Sequence, residues 1–330
     1  MNYPESAKIL ERIKNSKNIL VNCHRSPDPD SVGSALSFYH FLKKLGKDVK
    51  IISPDVIHPN FKFLPGSSSI ERVDFSNVDY SKFDLFISLD SSSWDQCSGV
   101  KDLDLPRIPM IVIDHHSTNL RYGQVNLVDD VASSNCEVIF NLFKDWEVEI
   151  TPDMATILLT GIYSDTVSFN YIKSSLTLRT ASELIDIGAD YEQIVINISK
   201  SKEPKLLNLY GEMLRDMKVD NNYNFVYVAV PYEIFEKYGK PMNAKSEISG
   251  LFFNSVKNTD FGIVMVEQRK NVLNLSLRSR TSGFDVSKIA QELGGSGHKA
   301  ASGAWFDFKN FDEAVEKVLE VARKYAKKTS

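Results

Sequence analysis

The chain has 330 residues, 42% hydrophobic and 25% charged. At roughly 100–200 residues per domain this length predicts two domains, and the composition excludes disordered, collagenous and membrane-embedded classes. Lys and Arg number 39 against 43 Asp and Glu, a net charge of -4, which excludes a broadly basic surface for long duplex DNA but not a small anionic substrate met by clustered arginines or a bound cation.

Four short apolar runs, Ile19–Asn22, Val49–Ile52, Leu85–Leu89 and Met110–Ile113, predict strands buried on both faces of a parallel sheet. Between the first two, Val32, Ala35, Leu36, Tyr39, Leu42 and Leu45 recur at helical spacing and Gly46 supplies a stop, the grammar of a βαβ unit. Helices are expected over about Cys136–Phe143, Pro152–Tyr163 with Thr151 as cap, and Leu176–Ile187. The polar text SKSKEPKLLNLY marks a boundary, so a domain is expected over 1–195, a hinge over 196–210 and a second domain over 211–330. Beyond the hinge, Phe225–Val230, Phe261–Glu267 and Val272–Arg278 read as strands, and 311–327 as an amphipathic closing helix. Three cysteines (Cys23, Cys97, Cys136) without CxxC spacing make neither a disulfide framework nor a zinc site. The N-terminal text is charged and amphipathic, and no apolar run approaches the ~20 residues of a membrane span. A cytoplasmic protein with no membrane partner is expected.

Polar residues stand at the carboxyl ends of these strands, where an open α/β sheet places its active site. The first strand runs into His24-Arg25-Ser26-Pro27-Asp28-Pro29-Asp30, the third ends at Asp90, the fourth runs into Asp114-His115-His116, and Asp165 follows the Pro152 helix in TGIYSDT. Each has an ordinary alternative: a lone strand-end Asp caps a helix or makes a turn, Cys23 fills a core, and His40 and His58 have no acidic cluster beside them. Their joint occurrence at successive ends points instead to a site. Carboxylates gathered within ~4–6 Å raise one another's pKa unless neutralised, and two divalent cations would balance four Asp. Carboxylates with one or two imidazoles suit manganese or magnesium, imidazole favouring manganese. Two such ions ~3.5–4 Å apart would support hydroxide attack on phosphorus.

In this order, His-x3-Asp-x-Asp, an isolated strand-end Asp, Asp-His-His and a later Gly-x3-Asp-Thr resemble the DHH phosphoesterase superfamily. SLRSR (Ser276 to Arg280) and GGSGHKAASGA (Gly294 to Ala304) resemble its DHH-associated domain, and the layout resembles the stand-alone bacterial oligoribonuclease and pAp phosphatase group and its cyclic-dinucleotide relatives. The resemblance implies an α/β fold, with a parallel-sheet N-terminal metal-binding domain, a smaller α/β C-terminal substrate-binding domain and a cleft between them. It implies that His24, Asp28 and Asp90 bind one manganese and Asp30, Asp90 and His115 the second, Asp90 bridging and Asp165 serving one of them or both. It also implies that His116 faces the substrate phosphate and aids the leaving group while Asp114 orients an imidazole. Ser133 and Ser134 read as caps or as phosphate contacts.

In the second domain, Arg278 and Arg280 on either side of Ser279 would share a strand face and bind phosphate or stack on a base, against the alternative of a solvated strand end. Gly294, Gly295 and Gly297 would leave amides free for an anion, with Ser296 interrupting the glycine run and His298 donating to phosphate. The expected function is hydrolysis of short nucleotidic substrates (pApA-type dinucleotides, nano-oligoribonucleotides, pAp or cyclic dinucleotides) by two-metal hydroxide attack, with two Mn2+ or alternatively Mg2+, in a homodimer. Two other readings compete. An inorganic pyrophosphatase of the same superfamily would not need SLRSR or the glycine-His segment, and a catalytically silent nucleotide-binding protein would not need all six candidate ligands.

Overall fold

In the computed structural model, which describes residues 3–241, 244–280 and 283–326, the chain folds as two units, Met1–Ser201 and Lys202–Ser330. The first runs α1 (Ser6–Asn15), β1 (Asn18–Asn22), α2 (Pro29–Lys44), β2 (Asp48–Ser53), β3 (Ile70–Arg72), β4 (Leu85–Leu89), α3 (Trp94–Ser98), β5 (Met110–Asp114), β6 (Val125–Val128), α4 (Asn135–Asp145), α5 (Pro152–Asp165), α6 (Ser175–Ile187) and α7 (Tyr191–Ile194). Its six strands are all parallel, in the order β3-β2-β1-β4-β5-β6. The order winds outward one way from β1 and the other way from β4, and the crevice outside the carboxyl ends of such a pair is where these sheets receive ligands.

The four apolar runs are the four inner strands, and Ile19, Val21, Ile87 and Ile111 are fully buried. The two edges, β3 and β6, escaped the apolar pattern because an edge needs no continuous run: Glu71 and Arg72 are exposed, and β6 alternates buried with half-buried residues. Asp28 caps α2 with Pro29 in its first turn, and Thr151 caps α5 with Pro152 in the same place. α2 and α5 approach closely because two glycines give way. A Cβ on Gly161 would stand 2.3 Å from Cys136 Sγ and 2.6 Å from Asp30 Oδ1, and one on Gly33 would stand 3.0 Å from the Ile157 carbonyl.

The second unit runs α8 (Pro204–Arg215), β7 (Lys218–Asp220), β8 (Phe225–Val230), α9 (Tyr232–Lys237), α10 (Ala244–Ile248), β9 (Phe261–Arg269), β10 (Val272–Ser279), α11 (Ser287–Glu292), β11 (Ser296–Gly297), β12 (Ala301–Asp307) and α12 (Phe311–Tyr325). Its sheet has the order β11-β12-β10-β9-β8-β7, antiparallel except between β8 and β9. Leu273, Leu275 and Leu277 face Ile289 and Val318, while Val226, Val228, Val264 and Val266 on the other face meet Leu209, Ile248 and Phe253. Residues 204–210, read from the sequence as hinge, are the start of α8, whose Leu209, Tyr210 and Met213 are buried. Residue 327, the last of the expected closing helix, lies outside the described residues. No helix among the described residues is long and apolar enough to cross a membrane.

Candidate metal centre

The loop after β1 is tied down by its backbone. Cys23 N–H donates to the Ile52 carbonyl at 2.8 Å, and His24 N–H to Ser31 Oγ at 2.9 Å. The His24 ring donates from Nδ1 to the Arg25 carbonyl at 2.8 Å, which leaves Nε2 facing Asp28 Oδ2 at 3.6 Å and Asp90 Oδ2 at 3.5 Å. Asp28 serves two purposes at once. Its Oδ1 caps α2, accepting from Asp30 and Ser31 N–H at 3.1 and 2.9 Å, and its Oδ2 stays in the cluster. Asp30 is gripped at both oxygens, by Cys136 N–H at 3.0 Å and Asn135 N–H at 2.6 Å, the first residues of α4, where a helix favours negative charge.

Asp90 follows β4 in the left-handed region at φ 51, which Asp tolerates better than most residues, and its N–H donates to the Ile113 carbonyl at 3.0 Å. Its carboxylate lies between two imidazoles, with Oδ1 3.5 Å from His115 Nε2 and Oδ2 toward His24. His115 Nε2 also stands 3.4 Å from Asp165 Oδ2 and 3.8 Å from Asp30 Oδ2. The donors form three overlapping groups, each within 4.8 Å: His24, Asp28 and Asp90; Asp30, His115 and Asp165; and Asp90, Asp114, His115 and His116. The structure thus gathers all six expected ligands, and places Asp165 with Asp30 and His115 rather than with His24 and Asp28.

The cluster is rich in acid and poor in cations. Burial pushes the Asp30 carboxyl up, and Asp90 and Asp28 push it further; burial does the same to Asp165, followed by Asp30, Asp28 and Asp90. Burial pushes His115 down, toward the neutral imidazole that can ligate. In His24 burial works the other way from Asp28 and Asp90, and the two acids hold its pKa well above the usual value. Asp90 Oδ1 and His115 Nδ1 are buried without a hydrogen-bond partner. Hard oxygen donors, a neutral imidazole and an unpartnered buried carboxylate oxygen fit divalent cations.

Asp114 is fully buried, and the imidazole it orients is that of His116. Its Oδ1 accepts from His115 N–H and His116 Nδ1, both at 2.8 Å, and its Oδ2 from Asn119 Nδ2 at 2.6 Å. Burial lowers the His116 imidazolium, but the Asp114 hydrogen bond and the Asp90 charge more than offset this and push it up to about 9. With Nδ1 committed to Asp114, Nε2 is the nitrogen left to act on a substrate.

Residues 18–162, from β1 through most of α5, match the DHH family N-terminal domain. The chain carries a DHH domain. With the relatives that follow, this domain marks a hydrolase of phosphoric ester bonds. It is similar to the bifunctional oligoribonuclease and PAP phosphatase NrnA of Thermus thermophilus, 29% identical over 325 residues that cover 96% of this chain and 92% of the relative. It is also similar to the cyclic-di-AMP phosphodiesterase PdeA of Listeria monocytogenes, 24% identical over 98% of this chain and 50% of that one. The crystal structure of an exopolyphosphatase-related protein from Bacteroides fragilis matches with a TM-score of 0.89 at 26% identity, covering 97% of this chain and 95% of that one.

Around the DHH cluster, sequence reasoning missed Asn119, Asn135, Cys136 and the packing role of Gly161. Asn119 sits in a polar loop that looks like any turn, and the other three act through contacts that only the packed helices create. Ser134 Oγ caps α4, accepting from Glu137 N–H at 3.1 Å, while Ser133 Oγ meets Thr177 Oγ1 and Lys173 N–H, each at 2.8 Å. Outside the DHH domain, β10 ends at Ser279. Arg280 follows directly, its N–H donating to the Asp260 carbonyl at 2.8 Å. The glycine segment departs from expectation. Gly294 and Gly295 N–H donate to the Gln291 and Ala290 carbonyls at 3.0 and 2.7 Å, so these amides are not free for an anion. A Cβ on Gly295 would lie 2.1 Å from the Gly303 carbonyl, and one on Gly297 2.5 Å from Ser302 Cα. Ser296 and Gly297 pair with Gly303 and Ser302, and His298 is exposed in the turn that follows.

Proposed function

We propose that the chain hydrolyses phosphoester bonds of short nucleotidic substrates (pApA-type dinucleotides, nano-oligoribonucleotides and pAp) at a centre of two divalent cations, manganese in preference to magnesium. The observation that carries this reading is the place of Asp90. Its two oxygens belong to different donor groups, so one carboxylate would serve both cations, with His24 and Asp28 on one side and Asp30, His115 and Asp165 on the other. An imidazole on each side favours manganese. When bound, such a pair supplies Lewis-acid polarisation of the phosphate and an acidified water. The side chains do the rest: backbone N–H groups hold Asp28 and Asp30 in place, and His116, fixed by Asp114, would pass its Nε2 proton to the leaving oxygen.

In the second unit, Arg278, Ser279, Arg280 and His298 would hold the nucleotide, with Gly295, Ser296 and Gly297 shaping the turn that presents His298. A net charge of -4 suits a small anion better than a long strand. Similarity to the T. thermophilus enzyme runs nearly the length of both chains and supports linear substrates. Half of the cyclic-di-AMP phosphodiesterase lies outside the match, which ranks cyclic dinucleotides lower. The test is incubation with pApA, short oligoribonucleotides, pAp, cyclic di-AMP and pyrophosphate, each with Mn2+ or Mg2+. Mononucleotide from pApA or phosphate from pAp is expected, faster with Mn2+. Turnover of pyrophosphate alone, or of nothing, would overturn the reading.

A further inference from the structure

Residues directly opposite one another in an antiparallel pair share a face of the sheet. On the face that carries Val264 and Val266, β10 and β12 set Arg278 against Ala301, Ser276 against Gly303 and Asn274 against Trp305. α10 and the π-helical turn after it, Ser249–Phe253, cover the β9 side of this face. The Phe253 carbonyl stands 2.3 Å from where a Cβ of Gly262 would be, and Gly262 is the cross-strand partner of Arg278. From α10, Lys245 reaches out to β10, its Nζ donating to the Leu275 carbonyl at 3.1 Å. A Cβ on Gly303 would meet that same carbonyl at 3.1 Å, so the ammonium stands beside the Ser276–Gly303 pair, where position 303 offers no side chain.

Two features of this face are unaccounted for by packing. Lys245 makes no ion pair with a described residue although it is half-buried. Burial and then the Arg278 charge push its pKa down to about 8, with no carboxylate to oppose them. The hydroxyl of Ser249, four residues on in the same helical segment, is buried without a partner. The second feature is Trp305, 64% exposed and the exposed one of three tryptophans. An aromatic face left in water beside cations can take a base and a phosphate together. Residues two apart on a strand are separated by ~7 Å, which brings the Lys245 ammonium within the reach from a base on Trp305 to that base's own 5′-phosphate.

We infer that this face is a nucleoside monophosphate subsite, in which Trp305 stacks on the base and Lys245, flanked by Arg278, holds the phosphate. The inference rests on the nucleotidic substrate proposed above and adds how its end is recognised. Lys245 and Trp305 lie outside both motifs of this unit. Recognition by a ring face is tolerant of base identity, so adenine and guanine ends are held alike.

The test is titration of the full-length protein with AMP, GMP and ribose 5-phosphate, followed by tryptophan fluorescence and calorimetry. AMP and GMP quench the fluorescence and ribose 5-phosphate does not. Trp305→Ala loses the quench and weakens AMP and GMP roughly tenfold or more while leaving ribose 5-phosphate unchanged, and Trp305→Phe restores most of the affinity. Lys245→Met weakens all three ligands, with a cooperative unfolding transition like that of the wild type. Unchanged AMP affinity in Trp305→Ala overturns the inference, as does a shift from dimer to monomer in that variant without a change in affinity, which would give the tryptophan to a second copy of the chain. The two readings fail separately. A wild type that binds AMP in this way but hydrolyses none of the substrates keeps the subsite and loses the proposed function. Unaltered KM for pApA in both alanine and methionine variants keeps the function and loses the subsite.

Discussion

The two units hold their polar residues in opposite ways. In the first, Asp30 and Asp114 are buried and Asp28 half-buried, and each is fixed by something other than its site partners: Asp28 by the first turn of α2, Asp30 by the first amides of α4, Asp114 by Asn119. In the second, Lys245 reaches β10 with no ion pair to a described residue, His298 is exposed in a turn, and Trp305 lies open to solvent. The difference is between a place that must hold atoms at fixed positions and one that must accept a ligand of variable shape. Preorganised charge is effective only where it cannot relax, whereas stacking and single cations tolerate adjustment. Damage to the first unit should therefore appear in turnover and in folding, and damage to the second in affinity.

The largest effect is expected at Asp90. Asp90→Ala removes the carboxylate common to two donor groups, and the loss of kcat on pApA should reach ~10³-fold or more, the scale on which residues acting as a unit fail together. Calorimetry should show that stoichiometric Mn2+ binding is lost with it. Retained turnover with two bound cations would break the contrast at its strongest point. A smaller effect is expected at Gly161, whose absent side chain makes room for Cys136 and Asp30. Gly161→Ala pushes α5 away from α4 and α2, and although alanine gains ~1 kcal/mol of helix propensity, overpacking of ~1–3 kcal/mol should exceed it. Urea unfolding would show the loss, and kcat should fall with it because Asp30 is displaced.

The buried half of this molecule is legible in its sequence for the same reason that it is rigid. A parallel strand covered on both faces must be apolar throughout, so His24, Asp90 and Asp114-His115-His116 stand out as the polar residues that interrupt such runs, and the switch in strand order then brings them to one crevice. What stays hidden is whatever depends on a neighbour from elsewhere in the chain. Nothing in Asn135-Cys136 announces that their amides close on a carboxylate 105 and 106 residues away. The glycine segment misled for the same reason, since an amide is free or bonded according to which carbonyl the fold brings to it, and those of Gln291 and Ala290 are already there. α8 begins inside text that reads as a linker because Pro204 and charged residues open a helix as readily as they break one. The strand β12 mixes small residues with Trp305, and no apolar run marks it.

The acid cluster also ties stability to cations. Asp30 and Asp165 have carboxyls raised above their unfolded values. Groups of that kind contribute stability below the unfolded value of about 3.9 and lose it as pH rises through the folded one. Without cations, the first unit is therefore weakened as these two carboxyls ionise. Divalent cations relieve the repulsion once the carboxylates are charged, and compete with protons when they are not. Added Mn2+ should accordingly raise Tm more near neutral pH than in mildly acidic buffer. A gain of equal size at both would show that the cation binds elsewhere.

The smallest effect sharpens the comparison, because it uses the same substitution as Gly161→Ala with the opposite sign. Gly211 lies in α8 of the second unit, exposed, with helical rather than left-handed backbone, and a Cβ there would meet nothing within 4 Å. Gly211→Ala should therefore stabilise, by roughly 0.5–1 kcal/mol, because alanine narrows the unfolded ensemble without touching the folded one. Thermal and urea unfolding would both show the gain, with kcat and KM on pApA unchanged. A loss of stability at Gly211 comparable to that at Gly161 would mean that α8 is covered in solution by a surface not seen in one chain. A gain at both positions would mean that α2 and α5 can part without cost, and that the metal cluster is less firmly held than its backbone hydrogen bonds require.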